Sequence, residues 1–222
     1  PGPWVGPEVA AYKERLRTRA IASRYWTAGA DGLYAFNWHA DKERRRELLT
    51  QIGSVKSLRG TDKIYAATHR FLLADGPWRG AYRADRQYGE LPVPLRETLT
   101  KNGPVIEISV AEDFAQTPPS AMELRLHLQE WAEGDIVVVR WDGTELSDPT
   151  TSLDLTGDPT GVSQISGAAW LRYPLDAARV THGAHYVEVV LSKRHPQLAS
   201  ELMLTDVELA VAYGDTYADT LL

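Results

Sequence analysis

Ala28-Gly29-Ala30-Asp31-Gly32-Leu33-Tyr34-Ala35-Phe36-Asn37-Trp38-His39 is the stretch on which the reading of this 222-residue chain turns. Two glycines and an aspartate make a tight turn, and an unbroken apolar run from Leu33 to Phe36 follows. A short apolar run bounded by glycine suits a parallel strand covered on both faces. Helical patterns lie on each side of it. Helix, strand and helix with short connections are a slice of an α/β fold, whose ligands sit beyond the carboxyl ends of the strands. Asn37, Trp38 and His39 fall at that place.

Outward from this stretch the chain divides in two. On the amino-terminal side, Gly6-Pro7 opens a helix, because proline suits the first helical position and Glu8 complements the dipole. Val9, Tyr12, Leu16 and Ala20 form one apolar stripe, and Gly29 is a left-handed stop. On the other side Asp41–Ile52 is a second amphipathic helix packing through Leu48, Leu49 and Ile52, with Gly53 as its stop. Ser54–Gly60 adds one helical turn, and Lys63–Thr68 reads as a short strand. From His69 to Pro94 there is no period, as in a linker, and Leu91-Pro92-Val93-Pro94 is extended.

From about Arg96 the period becomes two. Val105–Val110 alternates, and Ala121–Leu128 puts Met122, Leu124, Leu126 and Leu128 on one face and Glu123, Arg125 and His127 on the other. Ile136–Trp141 and Thr144–Leu146 flank Asp142-Gly143, a hairpin signal. Ala169–Tyr173, Tyr186–Leu191 and Met203–Tyr213 supply further strands. Leu175–Val180 and Pro196–Ser200 each suit a single helical turn, and Ser147–Ser166 is a long acidic loop. Short strands separated by turn signals predict an antiparallel β-sandwich.

The segment Ser23-Arg24-Tyr25-Trp26-Thr27-Ala28-Gly29-Ala30-Asp31-Gly32-Leu33-Tyr34-Ala35-Phe36-Asn37 resembles the last part of the (β/α)8 barrel in bacterial glycoside-hydrolase-like proteins. Asp206-Val207-Glu208-Leu209-Ala210-Val211-Ala212-Tyr213 is similar to a string near the end of the β-sandwich that follows the barrel in those proteins. The resemblance implies the carboxyl-terminal portion of such a protein. It implies an α+β chain with a helix-strand-helix piece of a barrel over residues 1–68 and a linker over 69–94. A jelly-roll-like β-sandwich accessory domain over 95–216 and a tail over 217–222 complete it. It further implies a parent that hydrolyses glycosidic bonds with paired carboxylates, and a sugar site lined in part by Asn37 and Trp38. The alternative is a non-catalytic carbohydrate-binding or structural sandwich module.

Asn37, Trp38 and His39 are the candidate substrate-binding residues. An aromatic face packs against sugar C–H groups, and amide and imidazole groups bond hydroxyls. Trp38 as rim packing and His39 as the start of the next helix are the competing roles. Asn37 carries the most weight, since a polar residue ending an apolar strand needs a partner. No catalytic residue is nominated: Asp31 lies at the wrong end of the strand, and Glu8 and Asp41 read as helix-end charges. Trp131, Trp141 and Trp170 form either a stacking platform or packing. Asp142, Asp148, Asp154 and Asp158 match no EF-hand spacing and read as turn acids, with a structural Ca²⁺ as the lesser alternative. His182 and His185 straddle a glycine turn without a third ligand, which disfavours zinc. His127 reads as a surface histidine. No nucleophile elbow and no phosphate-binding glycine loop occur. No cofactor is expected.

A net charge of −6 argues against a nucleic-acid surface. No apolar run approaches a membrane span. Seven Trp and ten Tyr supply core material, and the absence of Cys removes disulfide and thiolate chemistry while leaving the compartment open, secreted or periplasmic ones included. The chain begins with Pro, so a piece of a longer protein is expected. A lone parallel strand needs partners for its backbone. The expected partners are therefore carbohydrate, and the remainder of a barrel or a second copy of the chain.

Overall fold

A computed structural model describes residues 7–35, 43–68, 91–97, 102–154 and 166–214. The first helix, α1 (Pro7–Thr27), begins at its proline as expected and is stopped by Gly29 at φ +89°. Leu16 packs on Ile64 and Ala210, while Ala22 meets Leu48, Ile52 and Leu58. The side chains of Val9 and Tyr12 lie outside the described residues. Helix α2 (Glu43–Gln51) follows the expected pattern over the described residues, and its packing face is narrower: Leu48 and Ile52 are buried but Leu49 is exposed. Helix α3 (Val55–Leu58) is the expected single turn, started by a reciprocal cap in which the Ser57 N–H donates to Ser54 Oγ and the Ser54 N–H to Ser57 Oγ.

The run Leu33–Phe36 is corrected by the structure. Its described part, Leu33–Ala35, forms neither strand nor helix, and Tyr34 is 88% exposed. Leu33 packs beside the Ala22, Leu48, Ile52 and Leu58 cluster while its neighbours face solvent. One anchored leucine satisfies the local hydrophobic demand, so the run lacks the two covered faces that a parallel strand requires. No barrel piece is present among the described residues, where every strand pair is antiparallel.

The body is a mixed α+β fold dominated by two antiparallel sheets. In order, the strands are β1 (Lys63–Ala66), β2 (Val93–Leu95), β3 (Val105–Val110), β4 (Ala121–Trp131), β5 (Ile136–Trp141), β6 (Thr144–Leu146), β7 (Thr150–Asp154), β8 (Gly167–Pro174), β9 (Gly183–Lys193) and β10 (Leu202–Ala212). The first sheet runs β1-β10-β4-β8-β7, with β2 also on β10; the second runs β3-β9-β5-β6. The period-two face Met122, Leu124, Leu126 and Leu128 meets Ile106, Ile108, Val187, Val189 and Trp141 across one apolar core, the arrangement of a β-sandwich. Asp142-Gly143 makes the expected two-residue turn, with φ +48° and +78°.

Two other expectations change. Part of the acidic loop, Thr150–Asp154, is strand β7, which gains ladder bonds on β8 although its sequence is polar. Pro196–Ser200 is a turn rather than helix, whereas Ala177–Arg179 is the expected 3-10 turn, capped by Asp176. Strand β1 pairs with β10, so Lys63–Ala66 is a strand of the sandwich sheet, and α1 lies over that edge.

Candidate site on the outer face of the first sheet

Strand β10 carries a register shift between Leu204 and Asp206. Beyond it Val207, Leu209 and Val211 enter the core, which leaves Asp206, Glu208 and Ala210 on the opposite face, where Ala210 meets α1. Antiparallel pairing then aligns two polar rows. Glu208 lies opposite Arg125, Arg125 opposite Arg172, and Arg172 opposite Thr150. Asp206 lies opposite His127, His127 opposite Trp170, and Trp170 opposite Ser152.

Helix α1 contributes Arg17, whose Nε donates to Glu208 Oε1 at 3.0 Å and whose Nη2 stands 3.6 Å from Asp206. Glu208 is buried, and its Oε2 has no hydrogen-bond partner. Arg125 Nε donates to Glu123 Oε2 at 3.2 Å. Burial pushes the Arg125 guanidinium below its ordinary value, and Glu123 opposes that shift. Thr205 Oγ1 stands 2.5 Å from His127 Nδ1 and 3.2 Å from the His127 carbonyl, which fixes the imidazole on the strip. The His127 and Trp170 ring centroids are 4.7 Å apart at 40°. The result is a partly sheltered strip of fixed planar groups around one half-buried indole. Such a strip can hold a polyol: the indole packs on C–H faces, and guanidinium, imidazole and carboxylate groups bond hydroxyls.

Of the three tryptophans considered as a platform, Trp170 alone lies on this face. Trp141 is buried in the core and stacks on His185 at 4.7 Å, and Trp131 packs at the core margin. His127 is half-buried and bonded rather than a free surface histidine. Asn37, Trp38 and His39 lie outside the described residues, as does Asp158. Asp142 bonds His185 Nδ1 at 2.6 Å and accepts the Tyr186 N–H at 2.9 Å; His185 Nε2 faces the Thr181 carbonyl at 2.8 Å. Both ring nitrogens are therefore engaged in tying the β5–β6 turn to β9. Among the described residues no three His, Asp or Glu side chains are placed to hold a metal ion.

A second polar cluster is structural. Lys63 is 0% exposed, and its Nζ donates to Leu58 O at 2.5 Å, Thr61 O at 2.9 Å and Glu112 Oε1 at 3.0 Å. Tyr65 donates to Glu112 Oε2 at 2.9 Å. Burial lowers the Lys63 ammonium from its ordinary value against the pull of Glu112, and burial raises the Tyr65 phenol well above its own. All three ammonium hydrogens have acceptors, so Lys63 clamps α3 and β1 to the segment after β3 and is no nucleophile.

The sequence reading found the Glu123, Arg125 and His127 face but missed Arg17, Arg172, Asp206 and Glu208. The detectable signal was the alternation of Arg172 with buried Leu171 and Tyr173. Asp206 and Glu208 required the bulge, which shifts the phase of β10. Among the described residues no helix is long and apolar enough to cross a membrane. No protein-family model matches the chain, and no curated protein matches it.

Proposed function

We propose that the chain is an accessory β-sandwich of a glycoside-hydrolase-like protein and that it binds saccharide without cleaving it, along the strip on β10, β4, β8 and β7. The observation that carries this reading is Trp170, half-buried on the outer face against His127 at 4.7 Å and flanked across the strands by His127, with Asp206 beyond it, and by Ser152. Flat hydrophobic rings beside planar hydrogen-bonding groups match the two-sided chemistry of a sugar. The sequence likenesses at Ser23–Asn37 and Asp206–Tyr213 support a parent of glycoside-hydrolase type. Asn37 and Trp38 belong to this proposal as rim residues through the likeness alone. Binding rather than catalysis is favoured because each carboxylate of the strip stands against a guanidinium: Glu208 Oε1 and Asp206 against Arg17, and Glu123 Oε2 against Arg125.

The test is calorimetric titration of the whole chain with a panel of neutral hexasaccharides (cello-, xylo-, malto- and chito-). At least one should bind, and Trp170→Ala should weaken it tenfold or more, the loss of about 1.4 kcal/mol expected when a stacked ring is removed. Binding that survives Trp170→Ala unchanged, or no binding across the panel, refutes the assignment.

A further inference from the structure

A cleft of about 630 Å³ lies at the carboxyl-terminal end of α1, and none of its described lining residues belongs to the strip described above. Its walls are the last turns of α1 (Ile21, Arg24, Tyr25), the end of β3 (Ser109, Val110) and the turn into β9 (His182). The volume suits a small molecule. Ile21 is 50% and Tyr25 58% exposed, although the helix that bears them is held by the sheet on its other side. The charge balance of the cleft is unlike that of the chain. The chain has 30 acidic against 24 basic residues, yet among the described residues the lining contains Arg24 and His182 and no Asp or Glu. Among the described residues no carboxylate pairs with the Arg24 guanidinium. Glu107, exposed on the same face of β3 as Ser109, accepts the Ser109 hydroxyl at 3.0 Å and is not itself part of the lining. A cleft with one sign of charge and low-dielectric walls concentrates ligands of the opposite sign. Gly183 at φ +129° has no atom within 4 Å of where a Cβ would stand, which leaves the floor beside His182 open.

We propose that this cleft binds a small ring compound bearing one carboxylate, with the ring against Tyr25 and Ile21 and the carboxylate on the Arg24 guanidinium. A bidentate guanidinium–carboxylate pair fixes orientation as well as charge. The site is separate from the saccharide strip, and the two fail independently.

The experiment is ligand-observed saturation-transfer NMR and calorimetry on the whole chain with four probes: D-glucuronate, benzoate, D-glucose and inorganic phosphate. Glucuronate or benzoate should bind, and which of them binds tells a sugar ring from an arene. Glucose and phosphate should bind at least tenfold more weakly. Arg24→Gln should weaken the carboxylate tenfold or more, and Tyr25→Ala should weaken it about fivefold. Trp170→Ala should leave it unchanged. Arg24 and Tyr25 are exposed, and unaltered circular dichroism checks that the variants fold. Equal binding of glucose, equal binding of phosphate, no binding of either carboxylate, or indifference to Arg24→Gln each overturns the proposal.

Discussion

Replacing Lys63 by methionine tests the clamp directly. Methionine keeps the length of the stem and removes the ammonium. Three contacts disappear, to Leu58 O, Thr61 O and Glu112 Oε1. The two carbonyls are not left bare of partners in the same degree, since Leu58 O also accepts from the Thr61 N–H at 3.3 Å and from Thr61 Oγ1 at 2.8 Å. The main loss is therefore at Glu112, whose carboxylate keeps, among the described residues, the Tyr65 hydroxyl at 2.9 Å. Removing one partner of a buried ion pair costs ~3–5 kcal/mol. Glu112 is 18% exposed, and water relieves part of its isolation, so the expected cost is about 3 kcal/mol. In urea this lowers the midpoint by roughly 1 M if the slope is about 3 kcal/mol/M. Glu112→Gln keeps an acceptor for Tyr65 but strands the Lys63 charge, and should cost about 2 kcal/mol. The double variant buries no unpaired charge, so it should lose less than the sum of the singles by about 1–2 kcal/mol. Equilibrium unfolding followed by tryptophan fluorescence and circular dichroism reads all four proteins. A Lys63→Met midpoint equal to the parent's, or strict additivity in the double variant, refutes the clamp.

Two further perturbations test the packing. A Cβ added at Gly103 would stand 1.9 Å from Val189 O and 2.6 Å from Val189 C, in a segment bound to β9 by the Val189 N–H to Pro104 O at 3.1 Å. Gly103→Ala should cost at least about 2 kcal/mol and lower Tm by roughly 5 °C, and an unchanged Tm refutes the close approach. Burial pushes the Tyr173 phenol from its ordinary 10.0 up to about 12. A folded-state value raised above the unfolded one contributes stability that is whole below pH 10.0 and is lost as pH rises towards 12. Unfolding free energy should therefore fall across that window, and fall less steeply in Tyr173→Phe; equal slopes in parent and variant refute it.

Much of this architecture was legible in order along the chain. The alternation of Met122, Leu124, Leu126 and Leu128 announced an inward face, and Asp142-Gly143 announced its hairpin, because both are local demands of pleat and turn. The start of α1 at Pro7 and its end near Gly29 are local too. The apolar run at Leu33 misled because a short run cannot distinguish a doubly covered strand from a chain that anchors one leucine and exposes the next residue. The answer depends on what packs over it, namely Ala22, Leu48, Ile52 and Leu58.

The outer strip was half visible. Glu123, Arg125 and His127 stood out as the polar side of a strand, but their neighbours did not, since no rule of spacing says that β10 and β8 flank β4. By itself the amino-acid sequence determined most of the sandwich strands, the apolar face of Ala121–Leu128 and the Asp142-Gly143 turn, because those follow from backbone sterics and periodicity within a few residues; it did not show Thr150–Asp154 as a strand or the change of face within β10. Only the tertiary structure decided that Arg17 from α1 would meet Glu208 near the other end of the chain, and that Lys63 would find Glu112. Such pairs are set by strand order, by the register shift between Leu204 and Asp206, and by the docking of α1 on the sheet edge, all of which depend on contacts between residues far apart in the chain.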